Sequence, residues 1–312
     1  DEVIHVVAAG GDAAVRSLSL AADQPLPADL EVPPGLVRDT ASSCRGDVRR
    51  SIQAAADRIV DHHRREPVGS WRYEQDGLTL GQLARPVARV GIYTPGGEAP
   101  LVSSLLMAAL PARVAGVEEI IVCTPPAPGG LLDPVLAAGL LACGVDRVFT
   151  IGGPTAIAAL AQGTQTVPRV DLICGPGAGP TVAAMARVVG LVGVVSLPGP
   201  TETLLIADDT ADPALVASDL LAQAEHSVEA WPVLVTPSHD LCLKVQRAVR
   251  ERLPRLERRA VAGTSLRNGG AIVVSRDVAH AVEIANAFAP EHLCLLIDDP
   301  WPWVERVHAA GG

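Results

Sequence analysis

A chain of 312 residues is long for one hydrophobic core and predicts two α/β domains. Hydrophobic residues make up 48% of the chain and charged residues 19%, which excludes a disordered or fibrous protein. The formal net charge of −10 repels nucleic acid, and four Trp, two Tyr and two Phe offer few rings for base stacking, so a small-molecule substrate is favoured over a nucleic acid.

The predicted elements begin with helices and continue with strands and helices in alternation. Apolar residues recur at helical spacing in the first 66 residues, which predicts a helical N-terminal segment. From Arg89 onward, β-branched runs alternate with Ala- and Leu-rich helical runs. The predicted strands lie near Val90–Tyr93, Ile120–Cys123, Arg147–Ile151, Val170–Cys174, Leu204–Ala207, Val233–Thr236 and Ala271–Val274. This alternation predicts an α/β fold of doubly wound parallel sheets in two Rossmann-like halves.

Two clusters of Gly and Pro divide this series. They are Tyr93-Thr94-Pro95-Gly96-Gly97 and Leu197-Pro198-Gly199-Pro200. We interpret them as crossings into and out of an inserted domain, although two ordinary βα loops would look the same. The predicted organisation is a helical segment over 1–66 that packs on a first α/β domain, that first domain formed by 67–92 and 201–312, and an inserted α/β domain over 93–200.

The cysteines and the apolar runs predict the compartment. Six cysteines are widely spaced and form no C-x-x-C motif, which is typical of reduced thiols in a cytoplasmic protein. Glycine and proline interrupt the longest apolar runs, such as Val188 to Leu197, and the start at Asp1-Glu2 is not that of a signal peptide. We therefore expect a soluble cytoplasmic protein without a membrane partner.

The segment Gln223-Ala224-Glu225-His226 lies near the end of a predicted helix that begins about Pro213. Residues three apart share a helix face, so the Gln223 amide oxygen and the His226 imidazole could bind one cation. The alternative is structural: an imidazole near a helix C-terminus interacts favourably with the terminal carbonyl groups.

The segment Pro290-Glu291-His292-Leu293 precedes an apolar run that ends at Ile297. An acid beside an imidazole is the residue combination that general acid/base catalysis needs. Neighbouring residues point to different sides of the backbone unless the chain turns there, so a surface turn is the alternative. If the pair is functional, we expect it to meet Gln223 and His226 in one cleft at the carboxyl edge of a parallel sheet.

The loop Gly175-Pro176-Gly177-Ala178-Gly179-Pro180 follows a predicted strand and opens a predicted helix. Glycines at such a turn let backbone N–H groups approach a phosphate. The spacing is not G-x-G-x-x-G, so a tight connection is the alternative.

Taken together, the motifs and their order resemble the histidinol dehydrogenase family over nearly the whole chain. The resemblance is carried by Gly91-Ile92-Tyr93-Thr94-Pro95-Gly96-Gly97, Gly152-Gly153-Pro154-Thr155, Gly199-Pro200-Thr201-Glu202, Ser218-Asp219-Leu220-Leu221-Ala222-Gln223-Ala224-Glu225-His226 and Ala289-Pro290-Glu291-His292-Leu293.

The resemblance implies a zinc-dependent homodimer that oxidises L-histidinol to L-histidine in two steps with NAD as cosubstrate. It implies that Gln223 and His226 are metal ligands, and that both bind substrate together with Thr201 and His292. Glu291 and His292 would be the catalytic acid/base pair. The domain with 201–312 would then be the metal and substrate side, and 93–200 the cofactor side.

The chain departs from the family pattern at positions that contact NAD. Tyr93 persists, but Thr155 stands where the family has Gln and Ala178 where it has Asn; Pro180 and Met185 replace an aromatic residue and a Lys. The family's C-terminal region, with further metal ligands, is also lacking, so we expect an incomplete zinc site. These departures leave two alternatives open: a paralogue that oxidises another amino or hydroxy alcohol, and a truncated, catalytically impaired pseudoenzyme.

Overall fold

The computed structural model describes residues 1–22, 24, 26–66, 69–96, 101–127, 132–177 and 179–312. The chain divides into two compact units, unit 1 (Asp1–Pro198) and unit 2 (Gly199–Gly312). Each unit contains its own parallel sheet with helices packed against it, which confirms the predicted α/β fold in two Rossmann-like halves.

Unit 1 begins with α1 (Glu2–Ala21), α2 (Pro34–Ser42) and α3 (Gly46–His63), which confirms the helical N-terminal segment. These helices pack in the cores of unit 1 with helices of the segment 93–200, and not on the domain with 201–312 as predicted. Among the described helices, α1 is the one that is long and apolar enough to cross a membrane. Core helices of globular proteins have the same length and composition, and Val7 and Val15 of α1 are fully buried in the core of unit 1.

A parallel sheet forms the centre of unit 1. Its strands lie in the order β5-β4-β3-β6-β7, where β3 is Arg89–Tyr93, β4 Glu119–Cys123, β5 Arg147–Phe149, β6 Leu172–Cys174 and β7 Gly193–Val194. The connecting helices are α4 (Val102–Ala115), α5 (Pro134–Ala142), α6 (Gly153–Gln162) and α7 (Gly179–Val188). If these five strands are numbered 1 to 5 along the chain, their order in the sheet is 3-2-1-4-5, which is the strand order of dinucleotide-binding sheets.

Successive strand residues of unit 1 enter two different cores. Ile121 and Ile173 pack with residues of α1, α6 and α7, whereas Ile92 and Ile120 pack with residues of α2, α3, α4 and α5. Because the strands are buried on both faces, they appear in the sequence as continuous apolar runs, which is why the pattern located them.

An exposed hairpin, which the sequence analysis did not predict, precedes this sheet. Its strands are β1 (Trp71–Gln75) and β2 (Leu78–Gln82), antiparallel, with every residue exposed. Asp76 and Gly77 form the turn with φ angles of 52° and 76°. Asp-Gly is a common hairpin turn, so this dipeptide was the available signal.

Unit 2 contains a four-stranded parallel sheet in the order β10-β9-β8-β11. The strands are β8 (Glu202–Ala207), β9 (Trp231–Thr236), β10 (Ala271–Val274) and β11 (His292–Leu296). The helices are α8 (Pro213–Ala224), α9 (His239–Arg252), α10 (Arg259–Asn268), α11 (Val278–Phe288) and α12 (Trp301–Val304), with a short 3₁₀ turn at Leu253–Arg255.

The structure divides the chain differently from the predicted insertion. Residues 67–92 were predicted to join 201–312, but β3 lies in the middle of the unit 1 sheet, between β4 and β6. The hydrogen bonds of β3 to both neighbours therefore place 89–92 with the segment that follows it. The boundary between the two units falls between Pro198 and Gly199, within the second Gly/Pro cluster.

Candidate functional site

The amino edge of the unit 2 sheet carries most of the predicted site residues. Thr201 directly precedes β8, and its carbonyl accepts a hydrogen bond from Trp231 N–H at the start of β9, with an N···O distance of 2.8 Å. Gln223 is in the last turn of α8, and His226 lies in the short connection from α8 to β9. His292 is the first residue of β11.

The prediction that these residues meet at the carboxyl edge is wrong. A helix that connects two parallel strands runs back across the sheet, so its last turn lies beside the start of the next strand. Gln223 and His226 therefore belong to the amino edge, where Thr201 and His292 also lie. The crevice at the carboxyl ends of β8 and β11, where the strand order reverses, contains none of them.

Core packing shows that these residues also share one face of the sheet. Leu205 of β8 and Cys294 of β11 both pack in the core formed with α8 and α9. Alternate residues of a strand point to the same face, so Thr201 and His292 belong to that face as well. The register supports this, since His292 lies opposite Thr203, two residues or about 7 Å along β8 from Thr201.

The Thr201 hydroxyl and the His226 ring are in contact. Thr201 Oγ1 lies 3.5 Å from His226 Nδ1, at the outer limit of a hydrogen bond. His226 is exposed and Gln223 half-buried, so both remain accessible to a ligand. Because the contact with Thr201 involves Nδ1, Nε2 is the nitrogen with which His226 could bind a cation.

Glu291 and His292 point toward each other despite being adjacent in sequence. Helix α11 ends at Phe288, and the next residue, Ala289, has a φ of 55° that turns the chain before Pro290. Glu291 Oε2 then lies 3.9 Å from His292 Nε2, which is beyond hydrogen-bond length. The two side chains are 45% and 53% exposed, so water and substrate can reach both.

The predicted cofactor residues lie at the carboxyl edge of the unit 1 sheet. Tyr93 ends β3, next to β6, at the point where the strand order reverses and where ligands bind in such sheets. Its side chain is 4% exposed, and its hydroxyl accepts a hydrogen bond from Gly153 N–H at the start of α6, with an N···O distance of 3.0 Å. Burial raises the pKa of Tyr93, and hydrogen bonds with Gly153 and Thr181 offset only part of that effect.

The other predicted cofactor positions differ in what the structure shows of them. Thr155, in the first turn of α6, is 8% exposed, so little of it faces a ligand. Ala178 lies outside the described residues. Met185 of α7, at the family's Lys position, is fully buried in the core of unit 1, which explains why an apolar residue is tolerated there.

An apolar cavity that the sequence did not indicate extends along the sheet, from Pro86 and Val117 before β3 and β4 to Gly175 after β6. It has a volume of about 570 Å³, and its lining includes Met107, Leu172, Cys174, Gly175 and Val195. Burial raises the pKa of the Cys174 thiol to about 11, so the thiol is neutral near pH 7. The cavity therefore suits an uncharged, apolar ligand group.

Metal-ligating side chains are sparse in the part of the chain that the structure describes. No group of three or more His, Cys, Asp or Glu side chains there is placed to hold a metal ion. Gln223 and His226 supply an amide oxygen and a ring nitrogen, two of the four donors of a structural zinc site.

The comparisons with known proteins agree with these motifs. The family model for histidinol dehydrogenase matches residues 1–312. The chain belongs to the histidinol dehydrogenase family. It is 45% identical to the histidinol dehydrogenase of Deinococcus radiodurans and 44% identical to that of Dechloromonas aromatica, over 100% and 99% of this chain. It therefore belongs to a family of oxidoreductases of histidine biosynthesis.

A solved structure shows the same fold. The crystal structure of histidinol dehydrogenase from Elizabethkingia anophelis aligns with a TM-score of 0.95 and 30% identity, over 99% of this chain and 72% of that one. The chain likewise spans 71% and 72% of the Deinococcus and Dechloromonas relatives.

Proposed function

We propose that this chain oxidises L-histidinol to L-histidine in two NAD-dependent steps assisted by zinc, as a cytoplasmic homodimer in histidine biosynthesis. The observation that carries the proposal is the gathering of Thr201, Gln223, His226 and His292 on one face and at one edge of the unit 2 sheet. These are the positions that the family resemblance assigns to the substrate and the metal.

The donors at this edge fit part of a zinc site. An amide oxygen and an imidazole nitrogen suit zinc, but two donors do not complete a tetrahedral set. We therefore propose a shared site, whose other ligands come from outside the residues described. Zinc bound there would supply a fixed positive charge that holds the imidazole and amine groups of the substrate.

The proton transfers are assigned to the acid/base pair. In the first step, His292 Nε2 takes the hydroxyl proton of the alcohol, and hydride passes to NAD⁺ from the carbon that bears the hydroxyl group, giving the aldehyde. The Glu291 carboxylate lies 3.9 Å from His292 Nε2. In the second step, Glu291 takes a proton from the water that adds to the aldehyde. The hydrate anion would then transfer hydride to a second NAD⁺, and the carboxylic acid so formed loses its proton to water to give the carboxylate.

Unit 1 is proposed to bind NAD. The N-termini of α6 and α7 open at the carboxyl edge of a sheet with dinucleotide-binding strand order, and backbone N–H groups there can bind a diphosphate. The apolar cavity beside Gly175 suits one of the cofactor rings. With Thr155 and Ala178 in place of amide side chains, we expect NAD to bind weakly. Calorimetric titration should show tighter binding for the Thr155→Gln/Ala178→Asn variant than for the native chain; equal affinities would contradict this role for the two positions.

The main experiment measures oxidation of L-histidinol by the chain supplied with Zn²⁺ and NAD. We expect two NADH and one L-histidine for each L-histidinol consumed. His292→Gln should abolish the reaction because it removes the base. His239→Gln is the matched control, since it removes an exposed imidazole at the start of α9, beyond the carboxyl end of β9.

A second candidate, an impaired enzyme that binds ligand without turnover, is favoured by the buried Thr155 and the two-donor metal set. It predicts that L-histidinol binds to the chain with Zn²⁺ but that no NADH forms. NADH formation with a different alcohol, and none with L-histidinol, would instead favour the paralogue.

A further inference from the structure

Thr203, the second residue of β8, carries a buried hydroxyl that nothing described above uses. The residue is 1% exposed, and its hydroxyl oxygen has neither solvent contact nor a hydrogen-bond partner among the described residues. Buried hydroxyl groups in native structures almost always have partners, so this exception calls for an explanation.

The register of the sheet limits which groups can be that partner. Thr203 lies between Pro232 of β9 and His292 of β11. The proline side chain has no polar atom, and the next residues on the same face of β8 are Leu205, which is apolar, and Thr201, whose hydroxyl contacts His226. Among the sheet residues next to Thr203 on this face, His292 is the polar side chain directly opposite it; from the covering helix α8, the charge of Asp219 acts on Cys294, two residues further along β11.

The distance between the two strands suits a direct hydrogen bond. Paired residues on neighbouring strands are about 5 Å apart, and both side chains point to the face covered by α8. The hydroxyl oxygen is one bond from Cβ and Nδ1 is two bonds from Cβ. A rotation of the half-exposed His292 side chain can thus bring Nδ1 within hydrogen-bond length of Thr203 Oγ1.

We propose that Thr203 is a positioning residue for His292: its hydroxyl accepts a hydrogen bond from Nδ1–H and so keeps Nε2 unprotonated. A neutral imidazole carries one proton, and the partner of one nitrogen decides where that proton resides. With the proton on Nδ1, Nε2 has the free electron pair that a base needs. The catalytic consequence rests on the proposed function, whereas the hydrogen bond itself does not.

The test is the tautomer of neutral His292 in the full chain, read from the ¹⁵N chemical shifts of its two ring nitrogens. The signals are assigned with His292→Gln. We expect the Nδ1–H form to dominate in the native chain. In Thr203→Val, which keeps the shape and removes the hydroxyl, we expect Nε2–H to dominate, as in free histidine. Thr203→Ser should restore the native tautomer.

Thr94→Val is the matched control because Thr94 is also buried and its hydroxyl also lacks a partner in the described part of the chain, but it lies in unit 1. It should leave the His292 tautomer unchanged. The same tautomer in the native chain and Thr203→Val would overturn the proposal, as would a native chain in the Nε2–H form.

The kinetic readout separates this proposal from the proposed function. If the chain oxidises L-histidinol, Thr203→Val should lower kcat about tenfold, the effect of one hydrogen bond of about 1.4 kcal/mol, with little change in KM. A tautomer change in a chain without activity would support the hydrogen bond and contradict the function. Oxidation of L-histidinol with an unchanged tautomer would support the function and contradict the hydrogen bond.

Discussion

The turn after β6 depends on Gly175, and replacing this residue tests how that turn is built. Gly175 has a φ of 124°, and a Cβ added there would lie 2.0 Å from the carbonyl oxygen of Tyr93. The turn therefore lies directly against the backbone at the end of β3. Strands β3 and β6 are the neighbours between which the strand order of the sheet reverses. Gly175→Ala must move one of these two backbone segments.

The structure separates two contributions to the cost of this substitution. A positive φ costs a residue with a Cβ about 1–2 kcal/mol. Steric overpacking against rigid backbone adds about 1–3 kcal/mol. Gly190→Ala isolates the first contribution, since Gly190 has a φ of 91° and an added Cβ there would meet nothing within 4 Å. We expect destabilisation of about 2–5 kcal/mol for Gly175→Ala and about 1–2 kcal/mol for Gly190→Ala.

Hydrogen–deuterium exchange measures the difference within one molecule. Amides of β3 and β6 report on unit 1, and those of β8 and β9 serve as the internal reference. A loss of about 3 kcal/mol accelerates exchange through opening of unit 1 by about a hundredfold. Equal protection of β3 and β6 in the two variants would show that the Tyr93 contact does not constrain the turn.

Three further substitutions test single contacts. Met185→Lys should destabilise unit 1 by about 3 kcal/mol or more in urea unfolding, because it buries an unpaired charge, whereas Met185→Leu should be nearly neutral. Asp133→Ala should cost about 1 kcal/mol in the same assay, because the Asp133 carboxylate accepts hydrogen bonds from two N–H groups at the start of α5; an unchanged midpoint would refute the cap. Burial opposes ionisation of Asp12, but hydrogen bonds from Thr164 and Thr166 and the charge of Arg16 together outweigh it and hold the pKa of that carboxyl below its ordinary value. Its ionised form therefore stabilises the fold above about pH 4, and this contribution is lost as the pH falls through the lowered pKa. The thermal midpoint of the native chain should accordingly fall more steeply below pH 4 than that of Asp12→Asn, and parallel curves would exclude the effect.

The sequence by itself located most strands of both sheets and the residue types of the site, but β7 was not among the predicted strands. Strands such as β4 and β8 are buried on both faces, so each appears as an uninterrupted apolar run that periodicity detects. The pairs Gln223/His226 and Glu291/His292 were found because short local motifs carry them. The hairpin β1–β2 was overlooked because it is exposed throughout and buries no apolar face.

Only the tertiary structure decided which strands pair and which residues meet. The membership of β3 in the unit 1 sheet depends on hydrogen bonds to β4 and β6, and the second of these strands lies some eighty residues away in sequence. The amino-edge location of the unit 2 site follows from the direction in which α8 crosses the sheet. The pairing of Thr203 with His292 likewise exists only once β8 and β11 are in register. Contacts between distant segments leave no periodic pattern in the sequence, because each segment satisfies its own local spacing whichever partner it meets.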